Sequence, residues 1–329
     1  MLLNVINLKK YFPVEKSFIE KLITKTKSFV HAVDDISFSI RKKEIFGLVG
    51  ESGCGKSTTG RLCIGLIEPT DGKIFFDGCE ISSLAKRELK KLRKKIQMIF
   101  QDPTASLNPK MRIGEAISRP LKIQGNYSKQ EIKVEVLQAL DTVALTPPEN
   151  FYHRYPYELS GGQRQRAVIA RSLVLKPEFV VADEPIAMID VSVRAQIMDL
   201  IENLRKGRQM TFLLITHDLA SARYLCDRIA IMYAGKIVEI GFKNELFTNP
   251  QHPYTKALLS AVPVPDPKHK IDRIIIGGEV PSLINPPKGC RFNPRCPYAE
   301  TVCQTVEPIL DKVGDEHYVA CIPKPFYKK

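Results

Sequence analysis

The stretch Gly50-Glu51-Ser52-Gly53-Cys54-Gly55-Lys56-Ser57 organises this 329-residue chain. It matches the pattern G-x-x-x-x-G-K-[ST], whose glycines let the backbone wrap a phosphate chain with N–H groups pointing inward. The apolar residues 45–49 before it predict a buried strand, and residues 58–67 after it predict a helix. A glycine turn beside a surface lysine is the alternative interpretation, but it does not require this context. We therefore expect Lys56 to reach the β- and γ-phosphates of a nucleotide and Ser57 to ligate Mg²⁺.

The composition is that of a globular protein with one large domain or two ordinary ones. No run of about 18 apolar residues occurs, and residues 1–10 are too mixed for a signal peptide, so we expect a cytosolic chain without a transmembrane helix. The net charge of +13 admits nucleic acid, an anionic membrane surface or nucleotide as partners. Much of it lies in residues 86–95, where a solvated helix face is the default and a headgroup-facing or nucleic-acid-facing helix the alternative.

Polar side chains follow three other apolar runs that predict strands. Asp183 ends one run and suits Mg²⁺, while the adjacent Glu184 can polarise a water. His217 follows another run and can orient a water or act as a neutral donor. Gln101 follows the third and can ligate Mg²⁺ or hold a water. A strand-end N-cap is the alternative for Asp183 and Glu184, and a structural role is the alternative for His217. Gln101 carries little information by itself.

Residues 110–158 change to amphipathic helical patterns, and Ser128 with Glu131 predicts a capping-box start to one helix. This indicates a helical insert, about residues 102–160, within an α/β unit. The sequence Leu159-Ser160-Gly161-Gly162-Gln163 follows, directly before a strong helix pattern. Its serine and glycines predict a second anion-binding nest at a helix N-terminus, with no lysine of its own.

This set of motifs resembles the ATP-binding subunit of ATP-binding cassette (ABC) transporters along the whole chain. The resemblance implies an α/β P-loop NTPase fold, a RecA-like core plus a β-subdomain, with an inserted α-helical subdomain and a small irregular cysteine-bearing C-terminal extension. It implies a nucleotide-binding domain at 1–250 and the extension at 251–329. In that family the LSGGQ of one subunit closes over the nucleotide of another, which accounts for a nest without a lysine.

The resemblance also implies roles for single residues. Glu184 would be the catalytic base, His217 the γ-phosphate switch, and Gln101 a contact to Mg²⁺ and water. Ser57 and Asp183 would also hold Mg²⁺. The nucleotide would be contacted by Tyr11 as the adenine stacker and by Gly50, Ser52, Gly53, Cys54, Gly55, Lys56, Ser57, Thr58, Ser160, Gly161, Gly162, Gln163 and Asp190. From the residues alone, core packing is as good an interpretation as adenine stacking, both for Tyr11 and for Phe12.

A narrower resemblance, to the oligopeptide/dipeptide importer ATPases, rests on residues 101–109, residues 252–259 and the cysteine-bearing tail. It implies ATP hydrolysis that drives peptide uptake at the cytoplasmic face of the membrane, under two permease subunits. A second ATP-binding subunit, identical or paralogous, and indirectly an extracytoplasmic solute-binding protein are implied as partners, without nucleic acid. One departure is Ile186-Ala187-Met188-Ile189, where the family usually has Thr-Ser-Ala-Leu; the lost hydroxyls affect a loop that crosses the dimer interface in the family.

Four of the eight cysteines lie in the proline-rich tail, at positions 290, 296, 303 and 321. A cytosolic location disfavours disulfides, so a structural zinc ion or an iron–sulfur cluster would hold these thiolates, and reduced free thiols are the remaining alternative. Zinc sites tend to use paired C-x₂₋₄-C knuckles, which this spacing lacks, and Cys296-Pro297 is typical of cluster motifs. The importer resemblance also indicates a [4Fe–4S] cluster. Since the tail is distant in sequence from every nucleotide residue, we expect its role to be structural.

Two other classes of ATPase use the same cassette. DNA-repair and chromosome-organising ATPases would fit the basic charge, but they divide the cassette with coiled coils or zinc modules, and no sustained heptads occur here. Translation-associated ATPases usually carry two cassettes in one chain, whereas this chain has one. The motifs therefore favour a transporter subunit over both.

Overall fold

The computed structural model describes residues 1–14, 28–125, 127–187, 189–261, 274 and 276–322. Met188 of the altered loop lies outside this part, as do residues 262–273, 275 and 323–329 of the predicted extension. Contacts divide the chain into two compact units. The first comprises Met1–Arg41, Phe46–Ser83 and Thr216–Lys329, and the second comprises Lys42–Ile45 and Leu84–Ile215.

The strands are β1 (Leu3–Pro13), β2 (Phe29–Ile40), β3 (Ile45–Val49), β4 (Asp71–Phe76), β5 (Cys79–Glu80), β6 (Ile96–Ile99), β7 (Phe179–Asp183), β8 (Thr211–Thr216), β9 (Arg228–Tyr233), β10 (Lys236–Phe242), β11 (Asp311–Gly314) and β12 (His317–Val319). The α-helices are α1 (Lys56–Cys63), α2 (Lys86–Leu92), α3 (Pro103–Ser106), α4 (Ile113–Gln124), α5 (Lys129–Thr142), α6 (Pro148–Tyr152), α7 (Gly161–Leu173), α8 (Val191–Arg208), α9 (Leu219–Leu225), α10 (Lys243–Thr248), α11 (Pro253–Ser260) and α12 (Val302–Thr305).

The first unit contains an antiparallel sheet in the order β2-β1-β4-β5. In the same unit β3 pairs in parallel with β9, and β10, β12 and β11 follow by antiparallel pairing. All five residues of β3 are buried, as its continuous apolar sequence predicts for a strand covered on both faces. The strand that leads into the phosphate loop is therefore fixed within the core.

The second unit holds the parallel strands β6, β7 and β8 and the helical insert. The predicted capping box of α5 is present, because the Ser128 hydroxyl accepts from the Glu131 amide at 3.2 Å and the Glu131 carboxylate accepts from the Ser128 amide at 2.7 Å. Helices α4 and α5 pack on each other and on α7. Their fully buried side chains are Ile113, Ile117, Leu121, Val136 and Leu140.

The α/β class, the buried strands beside the motifs and the helical insert are confirmed. The predicted domain boundary at residue 250 lies within the first unit, which includes Thr216–Lys329. That boundary stays a prediction. No helix built from the described residues combines the length and apolar character needed to cross a membrane.

Candidate functional site

The phosphate loop joins β3 to α1, and its backbone requires glycine at several positions. Gly53 and Gly55 have φ angles of +79° and +109°, which strain residues with a side chain. A Cβ on Gly50 would lie 2.1 Å from the carbonyl oxygen of Met232, and one on Gly55 would lie 2.1 Å from that of Ala32. The loop therefore runs too close to β9 and β2 to carry side chains there.

Lys56, the first residue of α1, reaches back across the loop. Its ammonium donates to the carbonyl oxygens of Gly50 and Glu51, both at 2.8 Å, and only 5% of the residue is exposed. Ser57 and Thr58 lie half-buried in the first helical turn, where the helix dipole also favours an anion. A buried cation beside a helix N-terminus can bind the oxygens of a phosphate chain. The other predicted contacts in the loop are exposed Ser52 and buried Cys54.

Tyr11 lies opposite His31 in the pairing of β1 with β2, and the two ring centroids are 4.2 Å apart. Its hydroxyl donates to Asp34, and burial raises the pKa of Tyr11 far above its ordinary value. Ala32, the next residue on β2, is the one whose carbonyl abuts Gly55. Tyr11 is therefore one strand away from the phosphate loop, and its role as the adenine stacker stays a prediction.

The predicted Mg²⁺ and water residues of the second unit meet at the end of β7. Asp183 is 3% exposed, and the next residue, Glu184, has a φ of +46°. The Glu184 amide donates to the carbonyl of Ile215 at 2.9 Å. The Gln101 side-chain amide donates to the Glu184 carboxylate at 3.0 Å, although the two residues are 83 positions apart in the sequence. The structure thus brings the predicted base and the predicted Mg²⁺ contact into direct hydrogen bonding.

The LSGGQ segment begins α7 and leaves that helix end open. Ser160 and Gln163 form a capping box, in which the hydroxyl accepts from the Gln163 amide at 3.3 Å and the glutamine oxygen accepts from the Ser160 amide at 3.1 Å. A Cβ on Gly161 would meet open space within 4 Å, whereas a Cβ on Gly162 would lie 2.5 Å from the Val193 side chain. Ser160 and Gly161 are exposed, so this helix N-terminus is accessible to an anion from outside the unit.

The remaining predicted residues lie at element ends. His217 is exposed directly after β8, and Asp190 is exposed at the N-cap position of α8. In the altered loop between β7 and α8, Ile186 and Ile189 are 5% and 7% exposed. These two side chains therefore contribute to the core instead of presenting hydroxyls.

The predicted residues divide between the two units. Tyr11, residues 50–58 and His217 belong to the first unit, and the second holds the other nucleotide and Mg²⁺ residues. Sequence analysis did not single out Tyr254 and Arg295, which contact Glu51 of the phosphate loop in the first unit. The available signal was that both residues lie within stretches that carry the importer resemblance, Tyr254 in residues 252–259 and Arg295 in the cysteine-bearing tail.

The four tail cysteines line one cavity, together with His252, Pro253, Phe292, Asn293, Tyr298 and Ile322. The amide of Cys290 donates to the carbonyl of Cys303 at 2.8 Å. Burial raises the pKa of Cys290 to about 11 and that of Cys321 to about 12. Within the described part of the chain, no group of three or more His, Cys, Asp or Glu side chains is arranged to hold a metal ion.

Comparison with known families matches two models to this chain. The model described as ABC transporter matches residues 33–187. The model described as oligopeptide/dipeptide transporter, C-terminal region, matches residues 238–303 and so includes three of the four tail cysteines.

Known proteins resemble the chain along most of its length. The oligopeptide transport ATP-binding protein AppF of Bacillus subtilis is 46% identical over 323 residues, which cover 97% of this chain and 96% of AppF. The dipeptide transport ATP-binding protein DppF of Haemophilus influenzae is 45% identical over 320 residues, or 97% and 96% of the two chains. Among solved structures, a dimeric post-hydrolysis state of the ATP-binding cassette MJ0796 with ADP and Pi matches with a TM-score of 0.64 and 28% identity, covering 73% of this chain and 98% of that one.

The phosphate loop, the Gln101–Glu184 pair and the capped LSGGQ helix agree with these similarities, which extend over almost the full length of the relatives. The chain belongs to the family of ATP-binding subunits of ABC transporters, and within it to the oligopeptide/dipeptide transport group.

Proposed function

We propose that this chain hydrolyses ATP at its phosphate loop and thereby drives the import of di- or oligopeptides through two membrane permease subunits. The observation that carries the proposal is the loop itself, with the Lys56 ammonium held at its centre by two carbonyls. The relatives are named for oligopeptide and dipeptide transport, which supports peptides as the solute. The chain then lies peripherally at the cytoplasmic face of the membrane, and a solute-binding protein acts only indirectly.

Each site residue has a distinct task in this proposal. When bound, Mg²⁺ would neutralise charge on the phosphates, and Ser57, Asp183 and the side-chain carbonyl oxygen of Gln101 would hold it. Glu184 accepts the proton of the attacking water. Its carboxylate is oriented by the amide of Gln101 at 3.0 Å, and its backbone is fixed by the bond to Ile215. His217 contacts the γ-phosphate and acts as the switch that responds to it.

The chain works as a head-to-tail dimer in this proposal, either with an identical partner or with a paralogue. Two features support it. The LSGGQ helix end is exposed and has no lysine, as half of a site requires. The similar cassette MJ0796 was solved as a dimer.

The helical insert is the proposed contact with the permease subunits. It carries several large apolar side chains that are exposed and could pack against a partner. They are Ile123 (61%), Tyr127 (37%), Val134 (53%) and Tyr157 (67%).

The cavity lined by the four tail cysteines is the proposed site of a [4Fe–4S] cluster. Four thiols around one cavity form a suitable donor set. The spacing of the four cysteines lacks the paired C-x₂₋₄-C knuckles that zinc sites tend to use, which favours the cluster over zinc.

The decisive experiment compares ATP hydrolysis by the purified chain with that of Glu184→Gln and Lys56→Ala. Glu184→Gln removes the base but keeps the loop, so we expect turnover to fall by at least about 10²-fold with ATP binding retained. ATP-dependent dimers should accumulate and be visible by light scattering. Lys56→Ala should instead lose ATP affinity. Hydrolysis by Glu184→Gln within a few-fold of the wild-type rate would rule out Glu184 as the base.

A further inference from the structure

Glu51, the second residue of the phosphate loop, is held by two residues of the C-terminal extension. Its amide donates to the Tyr254 hydroxyl at 3.1 Å. The guanidinium of Arg295 lies 3.0 and 3.3 Å from its two carboxylate oxygens. Its carbonyl accepts from the Lys56 ammonium at 2.8 Å. One loop residue thus connects the extension to the lysine that faces the phosphates.

These contacts are shielded from solvent. Tyr254 is fully buried, and the side chains of Arg295 and Glu51 are 10% and 28% exposed. The Arg295 guanidinium also lies 5.8 Å from the ring centre of Tyr233 and 3.4 Å from its hydroxyl. Solvent ions screen a partly buried ion pair less than a surface pair. Because Tyr233 also holds the guanidinium of Arg295, the pair restricts the positions that the Glu51 side chain can take.

The chain neighbours of Tyr254 and Arg295 line the cysteine cavity: Pro253 precedes Tyr254, and Cys296 follows Arg295. Arg295 ends a short 3₁₀ turn between Cys290 and Cys296. The Asn293 amide donates to the Cys290 carbonyl at 3.0 Å, and the Cys296 amide donates to the Asn293 carbonyl at 3.2 Å. Phe292 lines the cavity, and its ring lies 5.4 Å from that of Tyr254 and 5.2 Å from that of Tyr233. A rearrangement of the cavity wall would therefore displace the two groups that hold Glu51.

We propose that Arg295 and Tyr254 are positioning residues for nucleotide binding, through which the order of the cysteine cavity sets the affinity of the phosphate loop. Neither residue needs to touch the nucleotide. They hold the Glu51 peptide, and Glu51 holds Lys56 in the loop. This inference rests on the proposed function, since it concerns the same nucleotide site.

The first test measures ADP affinity by calorimetry, and KM and kcat for ATP, in the full-length chain. Arg295→Ala and Glu51→Gln should each weaken ADP binding roughly fivefold and raise KM, with kcat changed little. The double variant should bind no more weakly than the weaker single one, because both substitutions remove the same pair. Arg295→Lys should recover part of the loss, and Tyr254→Phe should also weaken binding. Lys312→Ala, which removes an exposed charge from the same extension, is the matched control.

The second test follows the connection to the cavity. Cys296→Ser should weaken ADP binding roughly as much as Arg295→Ala does, and it should add nothing in the Arg295→Ala background. Losses that multiply in the double variants, or ADP affinities equal to wild type in all singles, would overturn the inference. Thermal unfolding identifies any variant that fails to fold. If Arg295→Ala or Cys296→Ser does not fold, Glu51→Gln and Tyr254→Phe test the same contacts through the partner residues. A wild-type chain that binds no nucleotide would instead refute the proposed function.

Discussion

Glu184, the predicted catalytic base, illustrates how a single backbone angle orients a side chain. Its φ of +46° is unfavourable for a residue with a Cβ, so the surrounding structure must stabilise it. The bond from its amide to Ile215 fixes the turn, and the Gln101 amide then meets its carboxylate. The strained conformation places the predicted base beside the predicted Mg²⁺ contact instead of continuing along β7.

Gly50 offers a direct test of the loop at this scale. Alanine would place a Cβ 2.1 Å from the carbonyl of Met232, so the loop or β9 must shift. We expect Gly50→Ala to weaken ADP binding at least about tenfold and to destabilise the fold by about 1–3 kcal/mol.

Calorimetry and thermal unfolding check this prediction, with Gly207→Ala as the control. Gly207 lies near the end of α8 with open space around it, so alanine there should stabilise by up to about 1 kcal/mol and leave binding unchanged. The steric argument fails if both alanine variants behave alike.

At the scale of elements, the phosphate loop and the LSGGQ segment each lead into the N-terminus of a helix. Helix α1 carries Lys56 at its first position, and α7 presents the capped Ser160–Gln163 turn to solvent. Their N-termini each favour an anion, but of the two motifs only the phosphate loop ends in a lysine. The difference matches the proposed division of one nucleotide site between the loop of one chain and the LSGGQ of another.

In the proposed function, the helical insert couples ATP hydrolysis to movement of the permease subunits. Arg119 and Lys122 lie on the exposed face of α4, away from its buried Ile117 and Leu121. We expect Arg119→Glu with Lys122→Glu to reduce peptide uptake in reconstituted transporter while the ATPase rate of the isolated chain stays within about twofold, because surface charges away from the site alter little else.

Lys288→Glu, an exposed charge reversal outside the insert, is the control and should leave uptake intact. Extending the reversals to other exposed positions of α4 and α5 makes the test complete. Uptake that survives the whole set would remove the insert from the proposed interface.

At the scale of the molecule, the C-terminal extension is part of the unit that contains the phosphate loop. Strand β12 pairs with β10, and Cys321 follows that strand closely. Cys290, Cys296 and Cys303 approach the same cavity from an irregular segment with little regular structure of its own. A crosslink at the cavity would join this segment to the sheet and compensate for its small apolar core.

We therefore expect protein purified without oxygen to be brown, to absorb near 400 nm and to contain about four irons per chain. Cys303→Ser should lose the colour and make the extension more sensitive to limited proteolysis, because one cluster ligand is gone. Cys79→Ser, at an exposed cysteine outside the tail, should keep both properties. Colourless anaerobic protein with one zinc per chain would refute the cluster.

Local sequence was sufficient for the elements that depend on near neighbours. The buried strands 45–49 and 179–183 follow from continuous apolar runs, and the start of α5 follows from Ser128 and Glu131, because hydrophobic period and capping act within a few residues. The motifs likewise located the phosphate loop and the LSGGQ turn, since their chemistry is carried by contiguous residues.

Tertiary structure alone decided which distant residues meet. Gln101 and Glu184 are joined across 83 positions, and Glu51 meets Arg295 across 244. The tail seemed separate from the nucleotide residues because distance along the chain was the only measure available. Pairing of β10 with β12 and packing of Phe292 against Tyr233 and Tyr254 bring it to the loop, and such contacts depend on the folded core, which no local pattern encodes.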